Sequence, residues 1–464
     1  MIKTLLLISS SFFLLLLSCK KDSFITDSKA NLYFSSDSVL FDTVFVSTGS
    51  ITQSIKIINP NNQKLMLSDV KLMGGSNSVF KLNIDGNSTI AANNIELAPN
   101  DSIYVFVSVL INPNNSNQAF ILQDSIQVAF NGNQKYIQLQ AYGQNAHFLK
   151  DKIINTNTTW SNDLPYVILG GLQIDSGISL KIQQGCKIYF HANAPFIVNG
   201  NLQVQGADTA RVYFLGDRLD NPYNRFPGAW PGIYLMQSSN ANILQYAVVE
   251  NAYQGIAVEG MPTDANSKLS LNNCIIQNIS DAGILALQTD IAVQNCLVSN
   301  CGRNIAIGNG GKYSFTNCTI AGFSNDYVQH SNPSLSISNG STGSSGNLIA
   351  DLNASFINCL IWGDSSNVTD ELVVNKQNGS SFNVGFSNCL WRVKNSPANV
   401  SATNILTSYP MFDSVNNQKM FYDFHLKAGS PAIDQGISTP FAFDLDGNPR
   451  TVGPATDIGC FERQ

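Results

Sequence analysis

Apolar residues along this chain alternate with polar ones over short runs, and long helical patterns are absent. The runs 39–46, 51–58, 103–111, 121–130 and 136–142 are rich in β-branched and aromatic side chains, which suit half-buried strands. Asn59-Pro60-Asn61-Asn62, Asn112-Pro113-Asn114-Asn115 and Asn131-Gly132-Asn133 read as the turns between them, because Pro fixes φ while Asn and Gly tolerate left-handed backbone. The pattern predicts a β-sandwich over 32–147.

Downstream the alternation becomes periodic. Asn273-Cys274, Asn295-Cys296 and Asn317-Cys318 recur every 22 residues, each followed by an apolar residue at the same phase, Ile276, Val298 and Ile320. Asn358-Cys359 and Asn388-Cys389 follow after 41 and 30 residues, as though a loop had been inserted in each gap; the Ser/Gly/Asn-rich stretch 331–346 fits the first. Ala247 to Asn251 aligns with Cys274 to Asn278 at an offset of 27, so the pattern extends upstream. A second stripe runs Gly255-Ile256, Gly283-Ile284 and Asn304-Ile305. A period near 22 means a solenoid whose coils stack at about 4.8 Å, the spacing of paired strands. Equal phases then form ladders: the cysteines inside as small hydrophobes, and Asn278 over Asn300 at a turn. Leucine-rich repeats can share the period but need Leu at fixed positions, which is not seen here.

These stripes resemble the repeats of the pectate lyase-like superfamily, whose members are right-handed parallel β-helices. Gly171-Leu172-Gln173-Ile174, the run from Leu180 to Phe190 and Trp230-Pro231-Gly232-Ile233 are similar to the family's first coils. Ser430-Pro431-Ala432-Ile433-Asp434, Asp444-Leu445-Asp446-Gly447-Asn448-Pro449-Arg450 and Asp457-Ile458-Gly459-Cys460 resemble a C-terminal segment common on secreted β-helix proteins. A solenoid needs its last apolar coil covered, and this tail is expected there. The strand pattern of 32–147 resembles immunoglobulin-like modules placed ahead of such repeats, without the antibody-type disulfide.

At the N-terminus, Lys3 and an apolar stretch too short to span a bilayer comfortably lead to Leu16-Leu17-Ser18-Cys19, which resembles a bacterial lipobox. The resemblance implies cleavage after residue 18 and acylation of Cys19, and with no Asp directly after Cys19, anchoring in the outer membrane. The expected order is therefore signal peptide 1–18, tether 19–31, immunoglobulin-like sandwich 32–147, right-handed parallel β-helix 148–415 and closing segment 416–464. Composition narrows the partners. Charged residues are only 12% of the chain, and once Lys3 leaves with the signal peptide, 25 basic side chains face 32 acidic ones, so nucleic acid is not an expected partner. A monomer is expected. The eight cysteines beyond Cys19 are expected to stay reduced and buried.

Candidate chemistry is sparse. Lyases of the superfamily use Arg or Lys beside Ca²⁺-binding carboxylates, and its hydrolases use grouped carboxylates; neither set stands out. Asp281 and Arg303, 22 residues apart, are expected on adjacent coils with Glu250 and Glu259 on the coil before, either as an ion pair linking coils or as part of a site. Asp217, Asp220, Tyr223, Arg225 and Trp230 mix charge with aromatic faces, as sugar binding would, or form an ordinary solvated loop. Trp362 and Trp391 read as packing. No His pair has ligand spacing, no metal or other cofactor is expected, and Ca²⁺ would enter only with lyase chemistry. Asp-Ser/Thr-apolar triplets beginning at Asp37, Asp42, Asp101, Asp124, Asp208 and Asp413 resemble an O-glycosylation sequon of exported Gram-negative proteins. Two functions follow: a non-catalytic surface protein contacting glycans or cell surfaces, or a polysaccharide lyase or glycoside hydrolase whose loops 216–230 and 324–352 wall a groove.

Overall fold

The computed structural model describes residues 23–45, 49–112, 120–343, 346–365 and 367–464. The signal peptide and Cys19 lie outside the described residues. Contacts divide the chain into Met1–Asn145 and Ala146–Gln464.

In the first unit, one five-stranded sheet runs in the order Tyr33–Phe34, Gln53–Ile58, Ser102–Val109, Phe80–Ile84, Asn87–Ser88. The second runs Ser38–Phe45, Asn133–Gln144, Phe120–Phe130, Leu65–Leu72, Ala91–Leu97. All pairs are antiparallel except Ser38–Phe45 with Asn133–Gln144. Burial alternates as the sequence does: Ile103, Val105, Val107 and Val109 are buried between exposed Tyr104 and Phe106. The two inner faces meet at Phe41 and Phe80, whose ring centroids are 6.2 Å apart. The expected tether needs correction. Phe24 bridges Lys64, Ala30 is buried, and the Asn131 amide donates to the carbonyls of Ile25 and Asp27, so residues 23–31 pack onto this unit. Short polar sequence gave no sign of partners a hundred residues away.

The second unit is a parallel β-helix. Twenty-five strands, beginning with His147–Ile154, form one sheet in which every pairing is parallel. Ile276 pairs with Val298, Val298 with Ile320, Ile320 with Ile361 and Ile361 with Trp391, so the offsets of 22, 22, 41 and 30 read from sequence are the coil lengths. Asn273, Asn278, Asn295, Asn300, Asn317, Asn358 and Asn388 all have φ between 50° and 54°, which Asn accepts at lower cost than other side chains with a Cβ. The following Cys274, Cys296, Cys318, Cys359 and Cys389 lie in the core beside a stack of Phe315, Phe356 and Phe386 with centroids 4.8 and 4.6 Å apart. All eight described cysteines are free and buried. Trp362 and Trp391 are also buried.

Three boundaries shift. His147 opens the β-helix instead of closing the sandwich. Residues 331–346 are not one inserted loop: Leu335–Ser338 pairs with the coils on either side, and the insertions are the flanking 323–332 and the hairpin Gly340–Gly343 with Gly346–Ile349. The last coil strand is Ser401–Thr403, and the hairpin Phe412–Asn416 with Phe421–Leu426 straddles the expected border at 415.

The closing segment runs along the flank of the helix, across several coils. Phe412, Phe424, Leu426, Leu445 and Ile458 bury the outward-facing Leu297, Leu360 and Leu390. The asparagine ladder holds it: the side-chain amides of Asn388, Asn358, Asn317, Asn295 and Asn273 donate in turn to Gln435 O, Ile437 O, Thr439 Oγ1, Phe443 O and Asp444 O at 2.8–3.0 Å. Within it, fully buried Arg450 donates to the carbonyls of Gly459 and Cys460.

Candidate functional site

A candidate site is a polar groove of ≈320 Å³ on the second unit. Outward-facing Glu250, Gln277 and Ser299 stand in register on three successive strands and form one row. Asn251, Asn278 and Asn300, all left-handed, form the next row. The Asn278 amide donates to Asn251 Oδ1 at 2.7 Å and to Arg225 O at 2.8 Å, and the Asn251 amide to Asn224 O at 2.8 Å, tying one lip to the ladder. Met420, Phe421 and Tyr422 of the closing hairpin and Asn325 complete the lining. Phe421 is 56% exposed, and the Tyr422 hydroxyl donates to Ser324 O at 3.3 Å.

The Glu250 carboxylate accepts from the Gln277 amide, yet burial outweighs that bond and pushes its pKa above the usual carboxylate value. Burial likewise raises the Tyr422 phenol to about 12. Asn278 Oδ1 and Ser299 Oγ are buried without a hydrogen-bond partner among the described residues, a state that costs about 1–3 kcal/mol each. Arg225 is exposed, and among the described residues no side-chain bond holds its guanidinium. Among the described residues the groove thus offers a carboxyl of raised pKa, amides, one cation and an aromatic edge.

Several residues singled out from sequence lie elsewhere or are already occupied. Trp230 is corrected from sugar platform to core: it is 0% exposed, stacks on Phe190 at 4.4 Å and donates from Nε1 to Glu250 O. Its neighbour Gly232 has φ 121°, and a Cβ there would sit 1.7 Å from Gln254 O, so the Trp-Pro-Gly run is set by coil packing. Tyr223 has one ring face covered by the Arg218 guanidinium, 4.0 Å from the centroid, and Arg218 in turn forks onto Asp220 at 2.7 and 2.9 Å. That pairing lowers the pKa of Asp220. Asp217 bonds His191 Nδ1 at 2.7 Å, and burial raises its pKa. Asp281 and Arg303 do meet across adjacent coils, as a bidentate pair with Nη2 contacts of 2.6 and 2.8 Å, but neither lines the groove. Among the described residues no group of three or more His, Cys, Asp or Glu is placed to hold a metal.

Gln277 and the wall 420–422 were not singled out from sequence. The alignment of Glu250-Asn251 with Gln277-Asn278 was the available signal for the floor, whereas the wall comes from 140 residues further on and had none. At the sequon-like triplets, Oδ1 of Asp42, Asp101, Asp124 and Asp208 accepts the next residue's N–H at 2.7 Å, and Thr209 is exposed.

No family model matches this chain, and no curated protein does. Among solved structures, the catalytic unit of a GH87 α-1,3-glucanase from Streptomyces thermodiastaticus is 10% identical over 76% of this chain and 88% of its own, with a TM-score of 0.28. A family 123 glycoside hydrolase from Clostridium perfringens, described for glycolipid glycan hydrolysis, is 10% identical over 26% of this chain and 30% of its own, with a TM-score of 0.19. The PapD-like domain 7 of human CEP192 is 10% identical over 27% of this chain and 92% of its own, with a TM-score of 0.18. The chain thus spans under a third of the Clostridium perfringens enzyme. Likenesses at these scores assign neither an activity nor a ligand.

Proposed function

We propose that this protein is a bacterial outer-membrane lipoprotein, acylated at Cys19, whose right-handed β-helix binds glycan in the Glu250 groove without cleaving it. An immunoglobulin-like first unit would hold the helix away from the lipid. The observation that carries the binding assignment is the orphaned Asn278 Oδ1 in the groove lining, beside the Glu250 carboxyl, whose pKa burial raises, and the exposed Phe421 ring. A sugar hydroxyl donates to such an oxygen, and an aromatic face covers the apolar side of a pyranose. Among the described lining residues Glu250 alone carries a carboxyl, whereas the usual glycosidase places two across the scissile bond.

A glycan array followed by calorimetry tests this. Glu250→Gln and Arg225→Ala should each weaken the best ligand by about tenfold while the melting temperature holds, a loss of about 1.4 kcal/mol. Undiminished binding in both variants removes the groove assignment. One observation favours a second reading: burial raises the Glu250 pKa, the direction that general acid catalysis asks of a carboxyl. Release of reducing ends or unsaturated uronides, abolished by Glu250→Gln, Asp281→Ala or Asp217→Ala, would make the protein a hydrolase or lyase. Incorporation of labelled palmitate, lost in Cys19→Ala, tests the anchor, and an intact mass above polypeptide plus lipid tests glycosylation.

A further inference from the structure

The first unit carries a second candidate site, made of residues independent of the groove. Strand Ser102–Val109 lies between Gln53–Ile58 and Phe80–Ile84, and its register fixes what stands on the outer face. Ser54 and Asn83 flank Phe106, Lys56 flanks Tyr104, and Lys81 flanks Ser108. Tyr104 and Phe106 are 41% and 38% exposed, with near-parallel rings 5.7 Å apart. Beside them is a hollow of ≈360 Å³ lined by Thr52, Lys81, Asn83, Phe106 and Ser108, and closed at one end by the tip of the Phe80–Ile84 hairpin.

Three features of this hollow lack a counterpart. Asn83 Oδ1 is buried and accepts no hydrogen bond among the described residues. Among the described residues Lys81 is the one charged residue lining the hollow, and its ammonium has only a long contact of 3.4 Å to Ser78 O. Phe106 presents apolar surface to water on a strand whose alternate side chains are already buried. Lys56, with Nζ 4.9 Å from the Tyr104 centroid, adds positive charge in the next row. A carboxylate answers Lys81, a neighbouring hydroxyl donates to Asn83 Oδ1, and a ring face bearing C–H groups covers Phe106. A neutral sugar leaves the lysine unanswered, and a phosphate leaves the phenyl ring bare. We propose that the Lys81, Asn83 and Phe106 face binds an acidic sugar of the uronate class.

The full chain would be titrated with oligogalacturonate and with a neutral cello-oligosaccharide of equal length. The expected result is binding of the uronate alone, weakened by added salt, and by about tenfold each in Lys81→Met and Phe106→Ala. Both changes are at exposed positions, and an unchanged melting temperature verifies that each variant is folded. Glu250→Gln should leave uronate binding intact, which separates this site from the groove. Equal affinity for the neutral oligosaccharide, failure to bind oligogalacturonate, undiminished binding in both first-unit variants, or loss of uronate binding in Glu250→Gln would each overturn the proposal.

Discussion

Asn295 donates its side-chain amide to the carbonyl of Phe443 at 3.0 Å, across 148 residues of chain. The same residue holds φ at 50° to turn the coil, so one side chain both shapes the solenoid and docks its closing segment. Asn273, Asn317, Asn358 and Asn388 repeat the arrangement.

Two replacements at Asn295 separate these roles. Asn295→Gly keeps the left-handed backbone accessible and loses the bond, which should cost about 1 kcal/mol. Asn295→Ala loses the bond and adds left-handed strain, so it should cost about 2–3 kcal/mol. Denaturant melts give the totals. Hydrogen exchange over 435–444 should rise in both variants, and an unchanged exchange rate there would mean the ladder does not hold the segment.

Trp230→Ala should destabilise the protein by about 3–5 kcal/mol, as expected for a large core side chain that leaves a cavity. Trp230→Phe should recover most of that loss, because ring stacking on Phe190 survives while the bond to Glu250 O does not. A sugar platform would behave differently, losing ligand affinity with stability intact.

Lys268 is fully buried, bonded to Gln237 O at 2.9 Å, and burial lowers its pKa to about 8. A lysine whose folded pKa lies below its unfolded value opposes folding when charged. The penalty is absent above about pH 10.5, grows as pH falls toward 8, and stays near 3 kcal/mol at neutral pH. Lys268→Met should therefore stabilise the protein at pH 7 by about 2 kcal/mol after the lost hydrogen bond is discounted. Thermal melts at pH 7 and pH 10.5 should show the gain shrinking at the higher pH.

His425 bonds Asp446 at 2.8 Å and Asp423 at 2.6 Å, and these partners raise its pKa to about 9. A raised folded pKa gives stabilisation that is complete below the ordinary value of 6.5 and is lost as pH rises through 9. The half-exposed site keeps the effect small. Proton NMR should show one imidazole titrating with a midpoint near 9, and its absence in His425→Gln assigns it.

The coil lengths were legible in the sequence because a parallel β-helix repeats its inward residues at fixed phase, so Asn-Cys pairs 22 apart had to stack wherever the chain did not insert. The strands of the first unit were legible for the same local reason, since period-two alternation is the pleat itself. Trp230 was misread because an aromatic beside charges looks alike in a loop and in a core, and only burial separates them. Residues 331–346 were misread because a short coil strand bounded by Ser and Gly has no periodic signature of its own.

Sequence by itself therefore determined the period, the ladder residues and the all-β class, which depend on neighbours one coil away. Tertiary structure decided what covers the flank, which tyrosine and phenylalanine from the closing hairpin wall the Glu250 groove, and which buried oxygen atoms stay unpaired. Those outcomes depend on contacts spanning a hundred residues or more, and on desolvation, which no local spacing records.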